Sequence, residues 1–235
     1  IRMRLVGSEM CIRDRTDSIQ SFFYELVIFD DTTLNKTFHL LREQLDTSYI
    51  DYNIPEITSD DVVGGFRNGW GLFIINMDAA REQILIQVPH PCDDFIAPYI
   101  ALDLFFETDA FAFMIAGAGR EVAWNEIGDY SNSKSISDPS RYPHTVFQKF
   151  QDAVTEPLIG INPHWPLVFA IHSFDNQTHL ERKPIIMAAG GQNSFTTKPI
   201  RDITNDHFDI INFTEEYPIY INEFGSCLLY TSPSP

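Results

Sequence analysis

The sequence predicts an α/β fold: a three-layer sandwich in which a mixed, mostly parallel sheet is covered by helices on both faces. Two observations lead to this prediction. Short, almost uninterrupted apolar runs recur along the chain, and amphipathic stretches of helical length separate several of them. Strands that are apolar throughout are typical of parallel sheets buried on both faces. Residues 16–225 are long enough for one domain with a sizeable core.

The first elements follow from hydrophobic spacing. Residues 33–45 (TLNKTFHLLREQL) have apolar side chains at helical spacing and predict a helix. The β-rich runs at 71–78 and 83–90 predict two strands, and the short turn between them favours one antiparallel pair near an edge. Residues 94–107 predict a helix with an acidic residue near its start.

The later elements repeat this alternation. Residues 110–119 predict a buried strand that ends in glycines, and 142–154 predict a helix that tolerates Pro143 in its first turn. Further strands are predicted at 167–174, 184–191 and 217–224, with a partly helical stretch at 198–209.

The two ends of the chain read as translated adapter DNA. GSEMCIRDR near the start and CLLYTSPSP at the end can be encoded by one DNA element read on its two strands, as expected for a transposase-type sequencing adapter. We therefore expect residues 1–15 and 226–235 to be non-native and residues 16–225 to be a single α/β domain, truncated at its ends.

The composition is strongly acidic. The formal net charge is −17, and without the two ends 12 basic and 31 acidic residues remain, which makes it −19. This charge disfavours nucleic acid as a partner, because phosphate contacts need lysine and arginine. No apolar run approaches the ~18 residues of a membrane span. We expect a soluble protein with the cytoplasm as the favoured compartment, while a lost signal peptide stays open. The oligomeric state is left open too.

Polar residues follow three predicted strands, where binding sites of open α/β sheets lie. His90 and Asp93 follow one strand at His-x-x-Asp spacing, and His172 ends another. Catalytic zinc takes three histidine or carboxylate ligands plus water, so these three residues are the predicted metal ligands. In the alternative interpretation, Asp93 or Asp94 only caps the next helix.

One arginine is a candidate for substrate binding, and a second lies in a polar loop. Arg120 closes an apolar strand and can clamp a carboxylate with two hydrogen bonds, although an ion pair with a nearby acid is equally open. Arg141 ends the polar loop Asp138-Pro-Ser-Arg, which also suits a simple turn before a helix. His144, in the first turn of that helix, is interpreted as a surface residue.

The order of the motifs VPHPCDD, GAGREV, SDPSR and FAIHSFD resembles that of the N-formylglutamate amidohydrolase group, a relative of zinc carboxypeptidases and aspartoacylase-like deacylases. The resemblance covers about residues 83–175. It implies a metallohydrolase-like domain with zinc held by His90, Asp93 and His172. It also implies that Arg120 and Arg141 grip a substrate carboxylate.

The sequence departs from the pattern of that group. Asp93 stands where the group has glutamate, and Ser140 stands where it has asparagine. The glutamate that acts as general base is placed at Glu223, with Glu215 and Glu216 as alternatives, and a position beyond the end of the fragment is also open.

These features together predict a zinc-dependent hydrolase. It would cleave an amide bond in a small acidic N-acyl amino acid or peptide end, with metal-activated water as nucleophile. The alternative is a non-catalytic ligand-binding or interaction domain on the same fold. A magnesium-dependent phosphoryl hydrolase using Asp93, Asp94 and Asp175 is a weaker alternative. Magnesium prefers oxygen ligands and avoids sites with two histidines, and the predicted site has two.

Overall fold

The computed structural model of the chain describes residues 20–46, 66–120, 124–125, 134–135, 137–140, 142–158, 166–173, 185–187, 202–203, 206 and 210–212. Both adapter-like ends and the predicted strand at 217–224 lie outside these residues, as do Arg141, Asp175 and Glu223.

The described elements are ten strands, two α-helices and one 3-10 turn. The strands are β1 Tyr24–Asp31, β2 Lys36–Glu43, β3 Leu72–Asn76, β4 Arg81–Val88, β5 Ala110–Ile115, β6 Trp124–Asn125, β7 Lys134–Ser135, β8 Leu167–Ala170, β9 Ile185–Met187 and β10 Ile210–Asn212. The helices are α1 Ala97–Glu107 and α2 Val146–Thr155, and the 3-10 turn Glu156–Leu158 follows α2.

Six strands form one mixed sheet in the order β1-β2-β3-β5-β4-β8. The pairs β1-β2, β2-β3 and β3-β5 are antiparallel, whereas β5-β4 and β4-β8 are parallel. The strands β4, β5 and β8 therefore end on the same side of the sheet, and β1 and β3 begin on that side. We call this side, formed by strand ends, the site edge. Two short pairs, β6-β7 and β9-β10, lie apart from this sheet.

The predicted helix-covered, mostly parallel sandwich is wrong. Among the described residues only two α-helices accompany the sheet, and three of its five strand pairings are antiparallel. The physical reason lies in β1, β2 and β3. Antiparallel neighbours can be joined without the helical crossover that parallel strands require. A four-residue turn joins β1 to β2, and none of the described residues between β2 and β3 is helical.

Two local predictions are wrong for related reasons. The stretch 33–45 is not a helix, since β2 pairs with β1 on one side and β3 on the other, and these two ladders outweigh the helical spacing. The predicted strands at 71–78 and 83–90 do exist as β3 and β4, but they do not pair, because β5 lies between them. The helices at 94–107 and 142–154 and the strands at 110–119, 167–174 and 184–191 are confirmed as α1, α2, β5, β8 and β9.

Each face of the sheet carries one apolar cluster and one helix. Alternate residues of each strand point to opposite faces, as in Ile86 and Leu85 of β4. The α1 face contains Phe38, Ile74, Ile86, Val88, Ala97, Ala101, Phe105, Ala110 and Phe113. The α2 face contains Tyr24, Phe73, Leu85, Ala112, Met114, Ala116, Phe147 and Val154. No helix within the described residues is long and apolar enough to cross a membrane.

A buried glutamate organises the site edge on the α2 face. Glu43, at the end of β2, accepts hydrogen bonds from the backbone N–H groups of Asn68 (2.5 Å) and Trp70 (3.3 Å). Tyr24 donates its hydroxyl hydrogen to the carbonyl of Gly71 at 2.8 Å. Burial, and then the nearby Glu43 carboxylate, raise the pKa of Tyr24 well above its ordinary value. The segment that leads into β3 is therefore tied to β1 and β2.

At the opposite edge, one carboxylate joins three turns. Asp109, between α1 and β5, accepts hydrogen bonds from Lys36, from the Asn76 side chain at 2.7 Å and from the Ala80 N–H at 3.1 Å. Burial opposes ionisation of Asp109, but these hydrogen bonds outweigh it and hold its pKa below the usual range. This contact connects the starts of β2 and β4 to the end of β3.

Candidate metal centre

The turn after β4 brings His90 and Asp94 together. The carbonyl of His90 accepts hydrogen bonds from the N–H groups of Asp93 (3.1 Å) and Asp94 (2.8 Å), and the carbonyl of Asp94 accepts one from Ala97, the first residue of α1 (2.9 Å). These bonds fold HPCDD into a compact turn between strand and helix. Both side chains are buried, with His90 1 % and Asp94 3 % exposed.

His172 reaches this turn from the neighbouring strand. β8 runs parallel to β4, and the N–H of Ile171 bonds to the carbonyl of Gln87 at 2.9 Å, so the two strand ends lie side by side. His172 Nδ1 lies 2.8 Å from Asp94 Oδ2, and His90 Nδ1 lies 3.9 Å from the same oxygen. The ligand atoms of the three residues all lie within 4.8 Å of one another.

The loop before α2 holds His90 from its other side. His90 Nε2 is 2.9 Å from Asp138 Oδ1 and 3.1 Å from Ser140 Oγ, and all three side chains are buried. An ionised carboxylate can only accept a hydrogen bond, so a neutral His90 facing Asp138 carries its proton on Nε2. Its lone pair is then on Nδ1, the nitrogen that faces Asp94.

The donor set fits a metal ion. His90 Nδ1 is buried and has no hydrogen-bond partner, although a buried polar atom normally has one. Two imidazole nitrogens and a carboxylate oxygen are ligands that zinc accepts. Zinc bonds to such atoms are about 2.0 Å long, and in a tetrahedral site they separate the ligand atoms by about 3.3 Å. The observed 2.8 Å and 3.9 Å bracket that separation, and the 2.8 Å contact is a hydrogen bond between His172 Nδ1 and Asp94 Oδ2 that a bound metal ion would replace. The group His90, Asp94 and His172 can therefore hold a metal ion.

The two acids of HPCDD have different surroundings. Asp94 faces the histidines, whereas Asp93 Oδ2 lies 3.3 Å from Arg120 Nε and 3.3 Å from the Arg120 backbone nitrogen. The structure thus brings together two of the three predicted metal ligands, His90 and His172, with Asp94 in the position expected for Asp93. The capping alternative is wrong, because α1 has Ile96 as its N-cap and no side-chain capping hydrogen bond.

Arg120 lies at the same edge, paired with acids. Besides Asp93, its guanidinium lies 3.8 Å from Asp94 Oδ1. Of the two predicted substrate arginines it is the one within the described residues, and its ion-pair alternative is realised there. About a third of its side chain is exposed (32 %).

Asp138 and Ser140 belong to the centre in a way that the sequence did not reveal. The motif SDPSR suggested a substrate loop, but these two side chains bond to His90. A histidine ligand is commonly oriented by a carboxylate on its other ring nitrogen. That rule calls for an acid near His90, but it does not say which of the many acids supplies it.

An open cavity of about 290 Å³ is lined in part by Ser137 and Pro139 of the loop that holds His90. It lies on the α2 face of the site edge, next to the loop that holds His90. Its lining residues are Asn68, Gly69, Trp70, Ala116, Ala118, Ser137, Pro139, Tyr142, His144, Thr145, Val146 and Phe147. His144 is exposed, as predicted, yet its ring also borders the cavity and packs against Tyr142 at 5.4 Å.

No protein-family model, curated protein or solved structure matches this chain. The centre is therefore interpreted from its own geometry.

Proposed function

We propose that the protein is a zinc-dependent hydrolase that cleaves an amide bond in a small acidic N-acyl amino acid or peptide end. The observation that carries the proposal is the pair of histidine nitrogens directed at Asp94. One is the buried, unpartnered Nδ1 of His90, and the other is Nδ1 of His172, 2.8 Å from the carboxylate. Two imidazoles and one carboxylate are a ligand set of catalytic zinc, which keeps a further position for water.

Zinc held by His90, Asp94 and His172 would supply a Lewis acid and lower the pKa of bound water toward neutrality. The other roles belong to residues of the chain. Asp138 and Ser140 keep the His90 ring oriented, so that Nδ1 faces the centre. Arg120 is the cation nearest to the centre among the described residues that could position a substrate carboxylate. Glu223 remains the predicted general base.

A non-catalytic metal-binding domain is the second candidate. It is favoured by one observation, the pairing of Arg120 with Asp93 and its approach to Asp94, since a guanidinium already shared by two carboxylates is less available to a substrate. Both candidates need the same metal ligands. They differ in whether the loaded protein turns over an amide.

The experiment measures zinc content and amidase activity of the full chain. We expect about one zinc per chain in the wild type and hydrolysis of N-formyl amino acids. His90→Ala and His172→Ala should lose both, while the control His39→Ala, altered in the middle of β2, should retain both. A folded wild type that takes up no zinc when zinc is supplied would overturn the metal centre. Bound zinc without hydrolysis would favour the second candidate.

A further inference from the structure

The cavity beside the metal centre has a wall of aromatic side chains. Trp70, Tyr142 and Phe147 border it, and Trp70 is also stacked on Tyr24 with ring centroids 5.8 Å apart. Two short stretches of backbone meet at its base. A Cβ on Gly117 would lie 2.8 Å from the Gly69 backbone, so these two segments touch without intervening side chains. The walls are therefore supported by packed residues.

The polarity of the lining argues against a charged occupant. The described lining residues include no aspartate, glutamate, lysine or arginine. Among the described lining residues, a charged group that entered would find only the exposed His144 as a possible partner for the hydration it loses, which is costly. Some of the polar side chains are already engaged, since Asn68 donates to the carbonyl of Phe22 (2.7 Å) and Thr145 accepts from the N–H of Gln148 (3.1 Å).

One loop separates the cavity from the metal centre. Along it, Ser137 and Pro139 border the cavity, whereas Asp138 and Ser140 bond to His90. Gln148 of α2 donates to the carbonyl of Pro139 at 2.6 Å and so ties the loop to the helix. A group in the cavity would therefore lie on the far side of a single chain segment from the metal ligand.

We propose that this cavity binds an uncharged aromatic group. The volume is sufficient, because a cavity of roughly 150 Å³ is enough for benzene, and this one measures about 290 Å³. The proposal stands on the cavity alone and does not depend on the proposed function.

The test measures binding of three probes to the full chain. Two are uncharged, N-acetyl-L-phenylalaninamide and N-acetyl-L-alaninamide, and one is charged, N-acetyl-L-glutamate. Binding is measured by calorimetry and by ligand-observed NMR. The phenyl compound should bind at least about tenfold more tightly than the alanine compound, given the apolar area that a phenyl ring buries. Ala118→Leu, which fills the cavity, should abolish that preference. Val146→Phe narrows the same cavity from α2 and serves where Ala118→Leu does not fold.

A matched control separates the cavity from general effects of a larger side chain. Ala80→Leu introduces the same change at the opposite edge of the sheet and should leave binding unchanged. A folded wild type that binds the phenyl and alanine compounds equally, or that prefers the glutamate, overturns the proposal. The proposal is also overturned if Ala118→Leu and Val146→Phe both fold and both still prefer the phenyl compound.

Discussion

At the scale of single residues, the centre depends on which acid of HPCDD faces the histidines. Asp94 is buried against His172, while Asp93 is paired with Arg120. We expect Asp94→Ala to lower zinc affinity by more than the about 10- to 100-fold loss that follows removal of an outer partner. Asp93→Ala should change it far less. Competition with a chromophoric zinc chelator measures both, and equal losses would contradict the assignment of Asp94.

The acid behind His90 gives a second prediction at this scale. Asp138 Oδ1 lies 2.9 Å from His90 Nε2, and an ionised carboxylate there keeps the proton on Nε2 and the lone pair on Nδ1. Asp138→Ala should weaken zinc binding by about 10- to 100-fold. The control is Asp152→Ala on α2, where the carboxylate pairs with the exposed Lys149. Equal zinc affinity in Asp138→Ala and the wild type would show that the ring keeps its orientation without this partner.

The sequence indicated the types of residue in the centre better than their exact positions. His90 and His172 were predictable because each ends a strand, and strand ends of a parallel pair lie at one edge. The choice between Asp93 and Asp94 depends on the turn that the His90 carbonyl closes, which spacing alone does not specify. The role of Asp138 depends on a contact across 48 positions of the chain.

At the scale of elements, the close approach of the start of β3 to the end of β5 requires a glycine just before β3. Gly71 has φ +109°, and a Cβ there would lie 2.0 Å from the carbonyl oxygen of Ile115. Gly71→Ala should lower the free energy of unfolding by about 3 kcal/mol, from backbone strain and overlap. Urea denaturation measures this. Gly69→Ala should cost less: its φ is also positive (+61°), but the nearest atom to its Cβ would be the Ala118 methyl at 3.2 Å, and the Gly117 backbone would lie at ordinary contact distance (3.7 Å). A larger loss at Gly69 would contradict this account.

The turns at the other edge make acid stability depend on Asp109. Its folded-state pKa lies below the usual range, because hydrogen bonds from Lys36 and its neighbours outweigh the effect of burial. A carboxyl with a lowered folded pKa contributes stability that is fully present above its unfolded pKa of about 3.9, and that is lost as the pH falls through the folded pKa.

Asp109→Asn should therefore destabilise the protein by about 1–2 kcal/mol at pH 7 and by less below about pH 4. Chemical denaturation across this pH range measures the difference. Asp103→Asn, on the exposed side of α1, should cost little at any pH. A constant loss in Asp109→Asn down to the acid end would show that ionisation of this carboxyl is not what stabilises the turns.

Element types were predictable where local pattern and tertiary pairing agree. Strand β5 and helix α2 combine apolar runs or amphipathic spacing with matching neighbours. In β2 the two disagree: the spacing of Leu34, Phe38 and Leu41 suits a helix, but ladders on both sides favour the strand. The antiparallel half of the sheet also depends on pairings between strands distant in sequence, β2 with β3 and β3 with β5, and it was therefore missed.

At the scale of the whole molecule, the charge of −17 is the dominant feature. Repulsion among the acids destabilises the compact state, and salt screens it. Raising NaCl from 20 to 500 mM at pH 7 should increase Tm by about 2–4 °C, the shift expected for ~1 kcal/mol in a chain of this size. The control is the same change near the isoelectric point of about 4.6, where the effect should vanish. A lower Tm in high salt at pH 7 would mean that attractive ion pairs outweigh the repulsion.

The loop of Ser137, Asp138, Pro139 and Ser140 can couple binding at the metal centre to binding in the cavity. Its alternate side chains meet His90 on one side and the cavity on the other. If an aromatic compound changes zinc affinity by some factor, zinc must change the affinity for that compound by the same factor. Zinc titrations with and without the compound would therefore measure the coupling free energy that this four-residue loop transmits between the two sites.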